Sequence, residues 1–276
     1  MKKLFADEPL ATLVIVHGAF EHSGRYDRLA AKFQSEGFHV IYGDLPGQGS
    51  TYENRGHINF FEEYIEETAA WLQEASSLGL PLFVIGHSMG GIVVIRTMQK
   101  LRPEVNGVIL SSPALGIKDA PSKWLTGLTK ALNVLFPKFK VKTPTFAEKV
   151  TRNPRVIAQD KQDPYILKKV SVRWYSEFAS GIEKAFRDYQ AFPDVPLLVM
   201  QAGQDLMVEK EKTEEWFDMV DLHDKTYQDW PDLYHEVFNE PEWEEVVNDT
   251  LSFIKQRLNH HFVESGGDTI EHPSPT

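Results

Sequence analysis

A serine with glycine two positions to either side is the first place where this sequence can do chemistry: Gly86-His87-Ser88-Met89-Gly90, extended by Gly91. The apolar run Leu82-Phe-Val-Ile85 leads into it, and Ile92-Val-Val-Ile-Arg-Thr-Met98 leads away. That order predicts a strand, a tight turn and a helix. Such a turn holds the serine in a strained backbone conformation and projects its hydroxyl beyond the strand, and small flanking residues let the turn close. The helix N-terminus offers free N–H groups to a developing negative oxygen. Ser88 is therefore the candidate nucleophile. A serine hydroxyl is weak and needs a base, itself oriented by an acid.

Of the ten histidines, His17 and His87 precede other motif elements, His39 lies inside a predicted strand, and His260 and His261 lie near the C-terminus. His235, in Trp230-Pro-Asp-Leu-Tyr-His235-Glu, falls between the last predicted strand and the last helix, and is the candidate base. Asp205 directly follows the run Leu197-Leu-Val-Met200 and is the candidate acid. Asp229 and Asp232 are the alternative acids, but both sit close to His235 in sequence and lack a strand-end position. The plain structural alternatives are a helix-capping Asp205 and a buried loop His235. The order Ser88, Asp205, His235 is one that a strand-turn-helix nucleophile uses. For the oxyanion, the backbone amides of Ala19 and Met89 are assigned as donors, with Gly18 bending the loop after the strand Thr12–Val16. His17 is expected to fix that loop by hydrogen bonding.

These residues need a frame, and the apolar runs supply one. Thr12–Val16, Phe38–Tyr42, Leu82–Ile85, Val108–Leu110, Leu197–Met200 and Lys225–Gln228 read as strands. Residues 25–36, 59–77, 89–101 and 241–258 carry helical spacing of apolar positions. Continuous apolar strands separated by helices indicate an α/β fold with a mostly parallel sheet covered on both faces. The rhythm breaks between 116 and 192, where prolines recur and no run reads as a strand. In Ser122–Phe136, Trp124, Leu125, Leu128, Leu132 and Leu135 share one helical face. The expected organisation is a core over 1–115 and 193–260, a helical cap over 116–192 and a flexible tail over 261–276.

Taken together, His17-Gly-Ala-Phe-Glu-His-Ser-Gly-Arg-Tyr26, Gly43-Asp-Leu-Pro-Gly-Gln-Gly-Ser50, Arg55-Gly-His57, the segment around Ser88, Ser111-Ser-Pro113, Gly203-Gln-Asp205 and His235-Glu-Val-Phe-Asn-Glu240 resemble the monoacylglycerol lipase and lysophospholipase branch of the α/β-hydrolases. The resemblance spans residues 10–258. It implies an α/β-hydrolase fold with an inserted helical cap that sets substrate choice, and no metal or organic cofactor. The Asp-Leu-Pro-Gly-Gln-Gly wording looks especially like bacterial phospholipases of that branch.

Composition narrows the partners. The chain has 276 residues, 42% apolar and 25% charged, with no cysteine, so neither a disulfide nor a thiolate nucleophile is available. A net charge of −11 argues against a nucleic-acid binder. The charge is uneven: residues 116–192 carry 15 Lys and Arg against 7 Asp and Glu, and the rest 14 against 33. Lys118, Lys123, Lys130, Lys138, Lys140 and Lys142, interleaved with Trp124, Leu128, Leu132 and Phe136, read as a segment resting on an anionic lipid surface. The plainer alternative is a cap helix packed on the core with its lysines in solvent. Met1–Glu8 has no apolar stretch of signal-peptide length behind its two lysines, and no run approaches a membrane span. The expectation is a cytoplasmic enzyme with peripheral contact at the inner membrane face. The function expected is a carboxylester hydrolase on a lysophospholipid or monoacylglycerol. Alternatives are an esterase or thioesterase on small soluble esters, and a hydrolase-fold binding protein that has lost catalysis.

Overall fold

The computed structural model describes residues 1–50, 54–118, 132–143 and 146–265, with side chains to 258. Strands β1 (Lys2–Leu4), β2 (Ala11–Val16), β3 (Phe38–Tyr42), β4 (Leu82–His87), β5 (Gly107–Ser111), β8 (Leu197–Ala202) and β9 (Lys225–Trp230) form one sheet in the order β1-β3-β2-β4-β5-β8-β9. All its pairings are parallel except β1 with β3, which is antiparallel. The helices that flank it are α1 (Asp27–Ser35), α2 (Glu62–Ser76), α3 (Met89–Leu101), α7 (Lys210–Met219) and α8 (Trp243–Ser265). Three more, α4 (Ala147–Val150), α5 (Pro154–Gln162) and α6 (Val172–Arg187), lie between β5 and β8.

Alternation along the central strands shows why both faces are covered. Val14 and Val16 of β2 and Val84 of β4 enter one apolar cluster, beneath α2 and α3. Leu13, Ile15, Phe83 and Ile85 enter a second cluster on the opposite face, against α1 and α8. A strand buried on both sides shows no period of two in hydrophobicity, and these runs are indeed continuously apolar.

The interval from 116 to 192 departs from the expectation that it holds no strand. Strands β6 (Lys140–Lys142) and β7 (Lys169–Ser171) pair antiparallel, with Val141 opposite Val170. Three residues flanked by lysines carry too little periodicity to announce a strand. Their ribbon is seated by the Arg55-Gly-His57 motif. The Ser171 amide donates to the Gly56 carbonyl at 2.7 Å, His57 Nδ1 meets Ser171 Oγ at 2.7 Å, and Lys140 Nζ donates to the Arg55 carbonyl at 2.5 Å. Helix α6 lies against α3, where Arg96 donates to the Lys184 carbonyl and Gln99 to the Ala185 carbonyl. Of the helix expected across Ser122–Phe136, residues 132–135 are helical and the stretch from 122 to 131 lies outside the described residues. At the C-terminus α8 continues to Ser265, past the start of the expected tail; residues 266–276 lie outside the described part.

Candidate active site

Ser88 sits between β4 and α3 with φ 52° and ψ −117°, a conformation that L-residues rarely adopt. The turn is possible because its neighbours lack side chains. A Cβ on Gly86 would stand 2.6 Å from the Gly90 carbonyl oxygen, and one on Gly90 would stand 2.2 Å from the Val16 carbonyl oxygen. The strain is held from outside as well: the Ser88 amide donates to the Ser111 carbonyl, and its own carbonyl accepts from Gly91 and Ala114. A non-glycine residue forced into this region marks a place where the fold sustains strain for a purpose.

The other two predicted side chains meet Ser88 there. His235 Nε2 lies 2.9 Å from Ser88 Oγ, and His235 Nδ1 lies 2.8 Å from Asp205 Oδ2. An ionised carboxylate only accepts, so Nδ1–H donates to Asp205 and the Ser88 hydroxyl donates to Nε2. Asp205 follows β8 and His235 follows β9, so both stand at the carboxyl edge of the sheet, where β4 delivers Ser88. Asp229 and Asp232 are not the partner of the imidazole. Asp205 is fixed by the turn that carries it: its Oδ1 accepts from the Met207 and Val208 amides at 2.7 and 2.9 Å.

The electrostatics agree with that arrangement. Burial alone would depress His235, but the Asp205 carboxylate outweighs it and holds the imidazole above its ordinary value. Burial would likewise raise Asp205, and the imidazole with the two amides brings it below the usual carboxylate range. His87, whose ring centre is 4.8 Å from that of His235, is pushed down to about 4 by burial and by its neighbour, so it stays neutral.

On the loop after β2, the Gly18 amide donates to Glu21 Oε1 and the Phe20 amide to Gln48 Oε1. Between them, the Ala19 amide has no protein acceptor among the described residues, and neither has the Met89 amide at the start of α3. His17 has the anticipated structural part: its Nε2 accepts from the Leu45 amide at 2.9 Å, and burial keeps it below the ordinary imidazole value.

One group of side chains was not anticipated. The buried guanidinium of Arg25 bonds Glu21, Asp160 and Glu236, the last two at 2.7 Å. Glu21 follows the Ala19 loop, Asp160 belongs to α5, and Glu236 adjoins His235. Arg25 thus ties three chain segments together behind the imidazole. Burial would raise Glu21, but Arg25 carries it down to about 2. Burial together with Glu236 and Glu21 outweighs Arg25 at Asp160 and raises it to about 6. The only trace in the sequence is that Glu21 and Arg25 are four residues apart in the loop motif. Glu236 is 211 positions away from Arg25 and had no signal.

A strained serine bonded to an imidazole that is bonded to a carboxylate, at the carboxyl edge of a mostly parallel sheet, defines a serine hydrolase of the α/β-hydrolase fold. The profile of the family described as serine aminopeptidase, S33 (Hydrolase_4) matches residues 7–242. The chain belongs to that family, within its monoacylglycerol lipase branch. It is 48% identical over 254 residues to phospholipase YtpA of Bacillus subtilis (strain 168), covering 92% of this chain and 98% of that one. It is 31% identical over 253 residues to the monoacylglycerol lipase of Mycolicibacterium smegmatis, covering 91% and 90%. The crystal structure of Paleococcus ferrophilus monoacylglycerol lipase superposes with a TM-score of 0.82 at 28% identity, covering 94% of this chain and 98% of that one.

Proposed function

We propose that this chain hydrolyses the carboxylester of single-chain lipids, lysophospholipid or monoacylglycerol, through an acyl-enzyme on Ser88. The observation that carries the reading is the continuous hydrogen-bond relay from Ser88 Oγ through His235 to Asp205. Ser88 Oγ attacks the acyl carbonyl as His235 Nε2 takes its proton. Asp205 keeps the imidazole in the tautomer that can accept and stabilises the imidazolium that forms. The Ala19 and Met89 amides receive the oxyanion, a donor of this kind being worth about 2.7–4 kcal/mol of transition-state stabilisation. His235 then protonates the leaving alcohol, and in the second half-reaction it activates the water that releases the fatty acid. Lipid as the acyl donor is supported by the relatives, whose names are a phospholipase and monoacylglycerol lipases.

Residues 1–115 and 193–260 make the hydrolase core in this reading, and 116–192 the cap. The cap also supplies contact with lipid. Val134, Leu135, Phe136, Phe139 and Val141 are 41–77% exposed, and Lys138 and Lys142 are exposed among them. Apolar and cationic side chains on one short stretch suit an anionic bilayer surface, reached from the cytoplasm as a peripheral protein. Lys118 is not part of that face, because its Nζ donates to the Asp205 carbonyl at 2.6 Å. No helix among the described residues is long and apolar enough to cross a membrane.

The test is fatty-acid release from oleoyl lysophosphatidylglycerol and monooleoylglycerol, with Ser88→Ala as control, alongside binding to anionic and neutral vesicles at low salt. Release from either lipid, lost in the variant, supports the reading. Preference for the anionic lipid and for anionic vesicles gives the cap lysines their proposed part. Equal vesicle binding removes it, and activity confined to small soluble esters overturns the lipid assignment.

A further inference from the structure

Phe20 occupies a backbone position with φ 68°, where a side chain is strained and glycine would be at ease. It is the residue directly after Ala19, on a loop packed against the nucleophile: a Cβ added at Gly18 would lie 3.2 Å from Ser88 Cβ. The strained residue is gripped on three sides. Its amide donates to Gln48 Oε1 at 3.0 Å. Its carbonyl accepts from the Leu167 amide, from the segment between β5 and β8, at 2.8 Å. Its ring stacks on Phe146 with centres 5.6 Å apart and planes 15° apart, and leans on Trp174 at 5.0 Å.

The grip closes on itself. Gln48 Nε2 and Trp174 Nε1 both donate to the Tyr64 hydroxyl, at 3.0 and 2.7 Å, so the partner of the Phe20 amide and a partner of its ring share one anchor. Trp174 is buried and serves as backing, whereas Phe20 and Phe146 are each half-buried and keep apolar surface free. A strained backbone so firmly held, carrying a large half-buried ring on the loop that packs against the serine, is a motive for function rather than for packing alone.

We propose that Phe20, with Phe146, forms the aromatic wall along which the acyl chain runs from Ser88, so that Phe20 is a specificity-determining residue for acyl length. The inference rests on the ester-hydrolase reading above. A wall that begins on the loop beside Ser88 and continues to Phe146 is met by more methylenes of a ten-carbon acyl chain than of a four-carbon one, so it discriminates between long and short acyl groups. Each methylene that loses such contact weakens binding by a small, additive step.

The experiment measures kcat/KM for p-nitrophenyl decanoate and butanoate in the wild type, Phe20→Gly, Phe146→Ala and Ser88→Ala. Phe20→Gly removes the ring and relieves the backbone strain, while Phe146→Ala removes the other face of the wall without touching the Ala19 loop. The decanoate-to-butanoate ratio is expected to fall about tenfold in both variants, with the loss residing in the decanoate KM. An unchanged ratio, or equal fractional losses on both esters, in an enzyme that works through Ser88 overturns the inference alone. Failure of the wild type on both esters, or activity persisting in Ser88→Ala, brings down the ester-hydrolase reading and this inference with it.

Discussion

Asp205→Asn alters one atom of the site and should silence it without unfolding the protein. In the native turn, Asp205 Oδ1 accepts from the Met207 and Val208 amides, while Oδ2 accepts from His235 Nδ1 at 2.8 Å and, at 3.3 Å, from Gln201 Nε2. Asparagine keeps one acceptor and turns the other into a donor, so it must choose which side faces the amide NH2. Facing the turn, the NH2 would leave the part-buried Met207 and buried Val208 N–H groups without an acceptor, at about 1–3 kcal/mol each. Facing the imidazole, it forfeits only the long Gln201 contact and makes Nδ1 an acceptor. The second choice wins, and it moves the imidazole proton to Nε2. Ser88 Oγ then meets a donor and has no base. Restoring the productive tautomer costs about 2–6 kcal/mol, the two lost turn bonds, which corresponds to a fall in kcat of about 30-fold to a little over 10⁴-fold. The assay is kcat on a soluble ester at pH 8, with the thermal midpoint measured on the same sample. The midpoint should move little, because the turn keeps both its bonds. A loss of less than tenfold with an unchanged midpoint would refute the tautomer argument.

Three further outcomes follow from the same contacts. His235 must be neutral to accept a proton, and Asp205 holds its pKa above the ordinary 6.5; a kcat/KM profile from acid to alkali should therefore lose activity toward acid with an apparent pKa above that value, and a lower one would contradict it. Arg25→Met leaves Glu21, Asp160 and Glu236 facing one another without their cation, which should destabilise the fold by about 3–5 kcal/mol in urea at neutral pH. Carboxylates raised in the folded state stabilise it increasingly as pH falls, so the deficit of this variant should shrink on acidification, and a deficit independent of pH would argue against a role for the cluster's charge. Gly90→Ala places a methyl 2.2 Å from the Val16 carbonyl oxygen, where backbone must move; scanning calorimetry should show a midpoint lowered by at least about 5 °C, and a wild-type midpoint would refute the close approach.

The parts of the fold visible in the sequence are those whose burial leaves a one-dimensional trace. β2, β3, β4, β5 and β8 are apolar runs because both faces are covered, and Ser88 and Asp205 could be placed because each follows such a run directly. His235 was placed by its position after β9, although β9 itself is only half-buried. Where the trace is weak, so was the reading. β1 has two exposed lysines in three residues, and β6 is exposed throughout. α7, Lys210–Met219, buries only Thr213 and Trp216 beneath a run of charges and gave no clear apolar face. Arg25 and Phe20 illustrate a different limit. Two of Arg25's three partners lie 135 and 211 positions away, and the ring partners of Phe20, Phe146 and Trp174, lie more than a hundred positions away, so their parts depend on distances that only the folded chain supplies.

The claim on which the rest depends is that Ser88 is the nucleophile activated by His235. It is tested most directly by treating the protein with a fluorophosphonate and mapping the adduct by peptide mass spectrometry. The account predicts one adduct, on Ser88, absent in Ser88→Ala and formed far more slowly in His235→Ala. An adduct on another residue, or labelling of Ser88 at the same rate without His235, would contradict it.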